Sequence, residues 1–270
     1  MQTDLLDPIE VSSLRKAYDS LPRPKADGFH CTMFSPDTDL RKNVDLIIKE
    51  SLAEKLSRVF RHHKPLYGNF MTKESGIESD WYVHQDWAYV DENEHDSVAV
   101  WVPLTDLTID NGVLCMVPGS HLIKNHVRGP GVTDPWESVH DEIKKSYHEK
   151  VFLKAGEALI WHHRLVHFSP PNLSNTDRVA ATLIYTPANV PVFHFWQDPK
   201  ATDSVAEAYS VDTDFYMNYV IGQAPIGVKK TGSVDASFPI IDESQLQMFY
   251  NQASTSNFNL LKKLKNLLNL

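Results

Sequence analysis

The chain has 270 residues, 42% of them hydrophobic and 23% charged, the composition of an ordinary globular protein able to bury a sizeable core. A formal charge of −9 argues against a nucleic-acid partner, and no apolar run approaches the roughly 18 residues that a membrane span needs. The start, MQTDLLDPIEVSSLRK, lacks the basic-then-apolar order of a secretory leader, and the two cysteines, Cys31 and Cys115, sit in unlike contexts that suggest no disulfide framework or thiolate cluster, so a cytoplasmic protein with two core cysteines is expected.

In chain order, the first elements are helical. Asp7 and Pro8 form an N-cap and first-turn pair ahead of PIEVSSLRKAYDSL, and a longer helix follows in KNVDLIIKESLAEKLSRVFRHH. Val44, Ile48, Leu52, Leu56 and Val59 recur there at helical spacing and predict one buried stripe, so residues 1–65 read as a helical buttress. From residue 66 to 192 the texture changes to short runs rich in β-branched and aromatic residues, including LYGNFMT, WYVHQDWAYV, SVAVWVPLTDL, GVLCMVPGSH, KVFLKAG and RVAATLIYTPA, punctuated by Gly, Pro, Asn and Asp. With no long helical crossover between them, these predict an antiparallel sandwich or barrel and exclude a doubly wound parallel sheet. Residues 122–149 form a long connection and a candidate lid, and residues 193–270 read as loops with helical pieces.

The chemistry begins in WYVHQDWAYV. Residues two apart on a strand share a face, so His84 and Asp86 would present an imidazole nitrogen and a carboxylate side by side. Two histidines and one carboxylate leave three adjacent positions of an octahedron open, the arrangement of non-haem iron(II) oxygenases. A third ligand is therefore needed downstream, and GEALIWHHRLVHFSPPN offers His162, His163 and His167, among which spacing does not choose. Arg178 follows His167 after a turn, PPNLSNTD, long enough to return on a neighbouring strand. Its planar fork suits one carboxylate; a surface ion pair with Asp177 or Glu157 is the plainer use.

The HxD motif, the segment DNGVLCMVPGSH, the strand GEALIWHHRLVHFS and the later arginine keep one order and approximate spacing. Over residues 66–190 the chain resembles the phytanoyl-CoA dioxygenase-like family of iron(II)- and 2-oxoglutarate-dependent oxygenases. The resemblance implies a mainly β fold with flanking helices, a double-stranded β-helix of the jelly-roll, cupin-like kind, in a single oxygenase domain spanning residues 1–270. It makes His84, Asp86 and His167 the iron ligands, with Arg178 and Ser169 on the distal carboxylate of 2-oxoglutarate, and Trp101 and Asn69 beside that cosubstrate. The activity implied converts 2-oxoglutarate and O₂ to succinate and CO₂ while an unactivated C–H bond of a small-molecule or carrier-linked metabolite is hydroxylated, as in specialised biosynthesis. Desaturation or ring closure would share the first steps, and the carboxylate at position 86 argues against the halogenases built on this scaffold.

For the substrate, Lys124, His126 and Arg128 in the candidate lid are cations for an anionic group, while Trp87, His163, Arg164, Phe195 and Trp196 are candidate pocket residues. In FNLLKKLKNLLNL, Leu260, Leu261, Leu264, Leu267 and Leu268 form one apolar face beside lysines, which a protein surface or second subunit covers more often than a membrane does, and a monomer or homodimer is expected. Two other classes fit the triad less fully. A zinc hydrolase or cupin-type isomerase gives Arg178 and Trp101 no task, and a non-catalytic ligand-binding jelly roll leaves the triad unexplained.

Overall fold

The computed structural model describes residues 1–22, 28–124 and 126–253, so the leucine-rich terminal run lies outside the described residues. The chain opens with β1 (Gln2–Asp4), α1 (Pro8–Asp19), β2 (Phe29–Cys31) and α2 (Thr38–Leu56). Strands β3 (His63–Lys73), β4 (Trp81–His84), β5 (Val98–Pro103) and β6 (Leu114–Met116) lead to α3 (His140–Lys145), β7 (Glu149–Val151), β8 (Glu157–His162), β9 (His167–Ser169) and β10 (Arg178–Pro187). The last elements are β11 (Val192–Trp196), β12 (Val205–Val211), α4 (Thr213–Asn218), β13 (Lys229–Asp235) and a helix from 243.

Two antiparallel sheets carry the core, one of six strands in the order β1-β8-β5-β10-β3-β2 and one of four in the order β4-β9-β6-β7, the two-sheet jelly-roll arrangement expected. Strand alternation divides the large sheet's side chains cleanly. Tyr67, Ala99, Trp101 and Ile184 join Leu114 and Met116 of the small sheet in one apolar cluster. Phe70, Val100 and Leu183, one residue out of phase, instead meet the helices. There Val44, Ile48, Leu52 and Leu56 are fully buried, as the sequence stripe predicts, while Val59 lies beyond the helix and is only partly covered. Burial of such side chains contributes about 1.5–3 kcal/mol each. The approach is close at Gly68, where a Cβ would lie 2.5 Å from the Ile48 Cγ2 atom. Asp7 and Glu10 cap α1 reciprocally, Pro8 occupies its first turn, and Asp37 caps α2.

Three readings of the sequence need correction. The N-terminal stretch is not wholly helical, because β1 and β2 extend the large sheet at both edges. Residues 122–149 are not a free lid: Trp136, Val139 and Ile143 are buried against Val83, Val113 and Phe168 on the outer face of the small sheet. Residues 193–253 hold a third, three-stranded sheet, β11-β12-β13, rather than loops with helices alone. No helix among the described residues is long and apolar enough to cross a membrane.

Candidate metal and cosubstrate site

The candidate ligands meet where the two sheets exchange chain. In the small sheet β4 pairs with β9, setting His84 opposite His167 with ring centroids 4.2 Å apart. The run from Trp81 to Val90 is not one strand, however. β9 begins at His167, so the chain beyond His84 has no ladder partner and leaves the sheet, and Asp86 lies in the following loop. The Arg128 Nε donates to the Asp86 carbonyl at 2.8 Å and so fixes that loop. The run from Glu157 to Ser169 is likewise divided, with β8 in the large sheet and β9 in the small one, joined by a turn at residues 163–166.

Asp86 Oδ1 lies 4.0 Å from His84 Nε2 and 3.8 Å from His167 Nε2, and one donor atom from each of the three residues falls within 4.8 Å of the others. Both imidazoles are turned by the same device. His84 Nδ1 faces the Tyr82 carbonyl and His167 Nδ1 the Leu165 carbonyl, each at 2.9 Å. Protonation at Nδ1 leaves both Nε2 atoms as acceptors within 4.0 Å of Asp86 Oδ1, that of His84 accepting from Trp81 Nε1 at 3.3 Å. Burial and then the neighbouring His167 push the His84 pKa down to about 4, so at neutral pH it is an uncharged donor. Burial alone would raise the Asp86 pKa, but the imidazoles of His167, His163 and His84 and the Trp161 N–H outweigh it and hold the carboxyl below its ordinary value. Trp161 Nε1 donates to Asp86 Oδ2 at 3.0 Å, which leaves Oδ1 on the side of the histidines. Two imidazole nitrogens and a carboxylate oxygen within this span could hold a divalent metal such as iron.

Arg178 opens β10 opposite Lys73 of β3, on the face shared with Ala180 and Thr182. It is 2% exposed, and among the described residues no carboxylate lies within ion-pairing distance. Its Nη1 donates to the Gly112 carbonyl at 2.6 Å and to Ser169 Oγ at 3.1 Å, its Nε has no partner, and its guanidinium carbon stands 5.3 Å from the centre of the Trp101 ring. Burial pushes its pKa down to about 9, which leaves it a cation at neutral pH. Such a cation is ready for a carboxylate. The Gly112 carbonyl, which also accepts from Ser169 Oγ at 2.9 Å, reaches in through a φ of +78°, where a Cβ would meet the Pro170 carbonyl at 2.6 Å. The Lys73 amine is spent on the carbonyls of Ser79, Ser169 and Pro170.

A cavity of about 300 Å³ adjoins the triad, lined by His84, Asp86, Asn69, Trp87, Trp161 and Thr182 among others. Asn69 and Trp101 both pair with Thr182 across β10, which sets all three on the inner face. The other substrate candidates fall elsewhere. His163 is wholly buried, with Nδ1 2.7 Å from Ser97 Oγ. Arg164 points to the His121 and Glu92 carbonyls and to Asp96, and His162 pairs with Asp96 at 3.0 Å. Arg128 lines a smaller recess of about 140 Å³ beside the triad, yet its guanidinium is bound bidentately to Glu92 at 2.8 Å on both arms. Lys124 is exposed; His126 lines both that recess and, with Phe195, a separate cavity under the third sheet. Trp196 belongs to β11 and does not line the triad cavity. Trp161, Glu92, Tyr67 and Tyr89 were not singled out in the sequence; only Tyr67, two residues before Asn69 on one strand face, carried a readable signal.

Among solved structures, the fold is similar to a non-haem α-ketoglutarate-dependent carbocyclase, SnoK, from nogalamycin biosynthesis (TM-score 0.52, 19% identity, 71% of this chain and 81% of that one). It is also similar to HygX from Streptomyces hygroscopicus, determined with nickel and 2-oxoglutarate bound (TM-score 0.50, 17% identity, 69% and 82% of the two chains). These likenesses define the jelly-roll class of the fold. Residues 4–180 match the model of the phytanoyl-CoA dioxygenase (PhyH) family, and the chain belongs to that family. Phytanoyl-CoA dioxygenase of Arabidopsis thaliana is 33% identical over 141 residues, 49% of this chain and 47% of that protein, and phytanoyl-CoA dioxygenase 1 of rice (Oryza sativa subsp. japonica) is 29% identical over 144 residues, 50% of each. The chain thus spans about half the length of the curated relatives it matches.

Proposed function

We propose that the protein is an iron(II)- and 2-oxoglutarate-dependent oxygenase that hydroxylates a C–H bond of a small-molecule or carrier-linked metabolite. The observation that carries this is the convergence of His84 Nε2, Asp86 Oδ1 and His167 Nε2, with both Nδ1 atoms spent on backbone carbonyls. Iron, 2-oxoglutarate and O₂ supply the oxidising power, with succinate and CO₂ as the other products. The chain's part is to hold and orient. Backbone carbonyls fix both imidazoles, Trp161 fixes the carboxylate, and Arg178, with its Nε unpartnered, offers a buried cation to the far carboxylate of the cosubstrate, beside a Ser169 hydroxyl that would turn from the Gly112 carbonyl to donate to it. Trp101 and Asn69 stand on the same face as its neighbours, and the apolar sheet interior excludes water around them. The family match and the two-sheet fold support the same reading.

The test is an anaerobic titration of metal-free protein with iron(II) and then 2-oxoglutarate, following the visible charge-transfer band of the chelate. A band in the wild type that needs far more 2-oxoglutarate in Arg178→Ala is the expected result. Absence of the band, or iron affinity retained in an Asp86→Ala, His167→Ala double variant, would overturn the assignment.

A further inference from the structure

The cavity beside the triad has a character of its own. One wall is aromatic: the Phe29 and Trp81 rings lie 3.9 Å apart between centroids, and Trp81 adjoins Tyr82 at 4.9 Å and Phe34 at 6.2 Å. Phe34, Tyr82 and Ile221, all exposed or nearly so, continue the apolar surface out through the mouth. Asp86 is the only charged side chain among the described residues that line the cavity. In the adjoining recess Arg128 is neutralised by Glu92, and Asp134 is bonded to His140 at 2.8 Å. Among the described residues that line these two cavities, therefore, no unpaired cation awaits an anionic substrate.

The inner end of the cavity holds a hydrogen-bond surplus. Tyr67 and Tyr89 are 5% and 3% exposed, and their hydroxyls lie 2.5 Å apart. Burial pushes the pKa of both well above that of an ordinary phenol, so both keep their protons. Two hydroxyls bring two protons, and one bond between them uses one. Neither hydroxyl has another bonded partner among the described residues, so one O–H remains to be donated. Both tyrosines line the same cavity as His84 and Asp86, which sets the spare donor on the side of the triad.

From this wall and this donor we infer that the substrate is an uncharged, flat, mainly apolar molecule carrying a carbonyl or ether oxygen, stacked on the aromatic wall with that oxygen accepting from the Tyr67–Tyr89 pair. The inference rests on the oxygenase reading of the same site. A volume of about 300 Å³ is at the lower end for ligand pockets and suits one or two fused rings, with anything larger passing out along Phe34, Tyr82 and Ile221.

The experiment is a set of calorimetric titrations of the full chain, loaded anaerobically with iron(II) and 2-oxoglutarate, with four probes: 1-tetralone, tetralin, 1-naphthoate and octanoyl-CoA. Tetralone is expected to bind roughly 3–10-fold more tightly than tetralin, the range of one net hydrogen bond, with both anions weaker than either. Tyr67→Phe and Tyr89→Phe each leave one donor and keep the preference; the double variant loses it while its affinity for tetralin stays the same, which also shows that the cavity is intact. Tighter binding of naphthoate or octanoyl-CoA, equal binding of tetralone and tetralin, no binding by any probe, or a tetralone preference that survives in the double variant would each overturn the inference. Should the double variant not fold, the order of the four probes on the wild type decides. Loss of the charge-transfer band with the probe order intact would instead count against the oxygenase reading alone.

Discussion

Acid should unfold this protein at a pH where most proteins of its size are still native, because it buries histidines as neutral rings. His126, His163 and His194 are buried, and burial pushes their pKa values down to about 4, 3 and 3. In the unfolded chain each would titrate near 6.5. Between those values the unfolded state binds more protons than the folded one, so stability falls as the pH falls. The penalty begins near pH 6.5 and grows until the folded-state pKa values are reached. At pH 5 each ring costs about 2 kcal/mol relative to the fully neutral condition, about 6 kcal/mol for the three, against a usual total of about 5–15 kcal/mol. Urea melts of the metal-free protein at half-unit steps from pH 8 to 4.5 should show a shallow fall in unfolding free energy down to about pH 6.5, from the Lys73 amine whose pKa burial pushes down to about 6, and a much steeper loss below it as the histidines add to it. His194→Phe should soften the slope, since that ring carries no hydrogen bond at its buried Nε2 and sits among Trp87, Phe215 and Tyr219. A free energy that stays level from pH 7 to 5, or a slope unchanged in that variant, would refute the reasoning.

Three further perturbations probe the architecture. Trp161→Phe removes the only side-chain donor recorded for Asp86 Oδ2 among the described residues, and iron(II) affinity by equilibrium dialysis should fall about 10–100-fold with little change in melting temperature. Glu92→Ala strands the buried guanidinium of Arg128 and should lower stability in urea by about 3–5 kcal/mol, whereas an Arg128→Met, Glu92→Met pair should cost far less. Gly68→Ala drives a methyl against Ile48 and should cost about 1–3 kcal/mol; an unchanged thermal midpoint would mean that α2 does not press on the sheet as described.

What could be read from the sequence was what repeats or keeps order along the chain. The α2 stripe, the alternation of the central strands and the ordered series of HxD, distal histidine and arginine all leave local signals. The misreadings have physical causes. β13, KKTGSVD, is exposed at nearly every position and so carries no alternation to betray a strand. The break after His84 depends on where β9 starts, 83 residues further on, and is invisible within WYVHQDWAYV. Arg128 looked free for a substrate because its partner Glu92 lies 36 residues away, and the Trp161 bond to Asp86 spans 75. Apolar residues in the 122–149 segment were read as part of a candidate lid, whereas Trp136, Val139 and Ile143 cover the small sheet.

The alternation within β10 has a practical consequence. Val179, Ala181 and Leu183 support the helical layer, while Arg178, Ala180, Thr182 and Ile184 face the other way, toward the interior between the sheets. Odd and even positions of one strand can therefore be varied for separate ends. A library built on positions 180, 182 and 184 alters the lining of the interior and leaves the helical layer as it is, and one built on the odd positions adjusts the packing of that layer without changing the lining. A slip of β10 by one residue in its register would exchange the two sets and forfeit both at once.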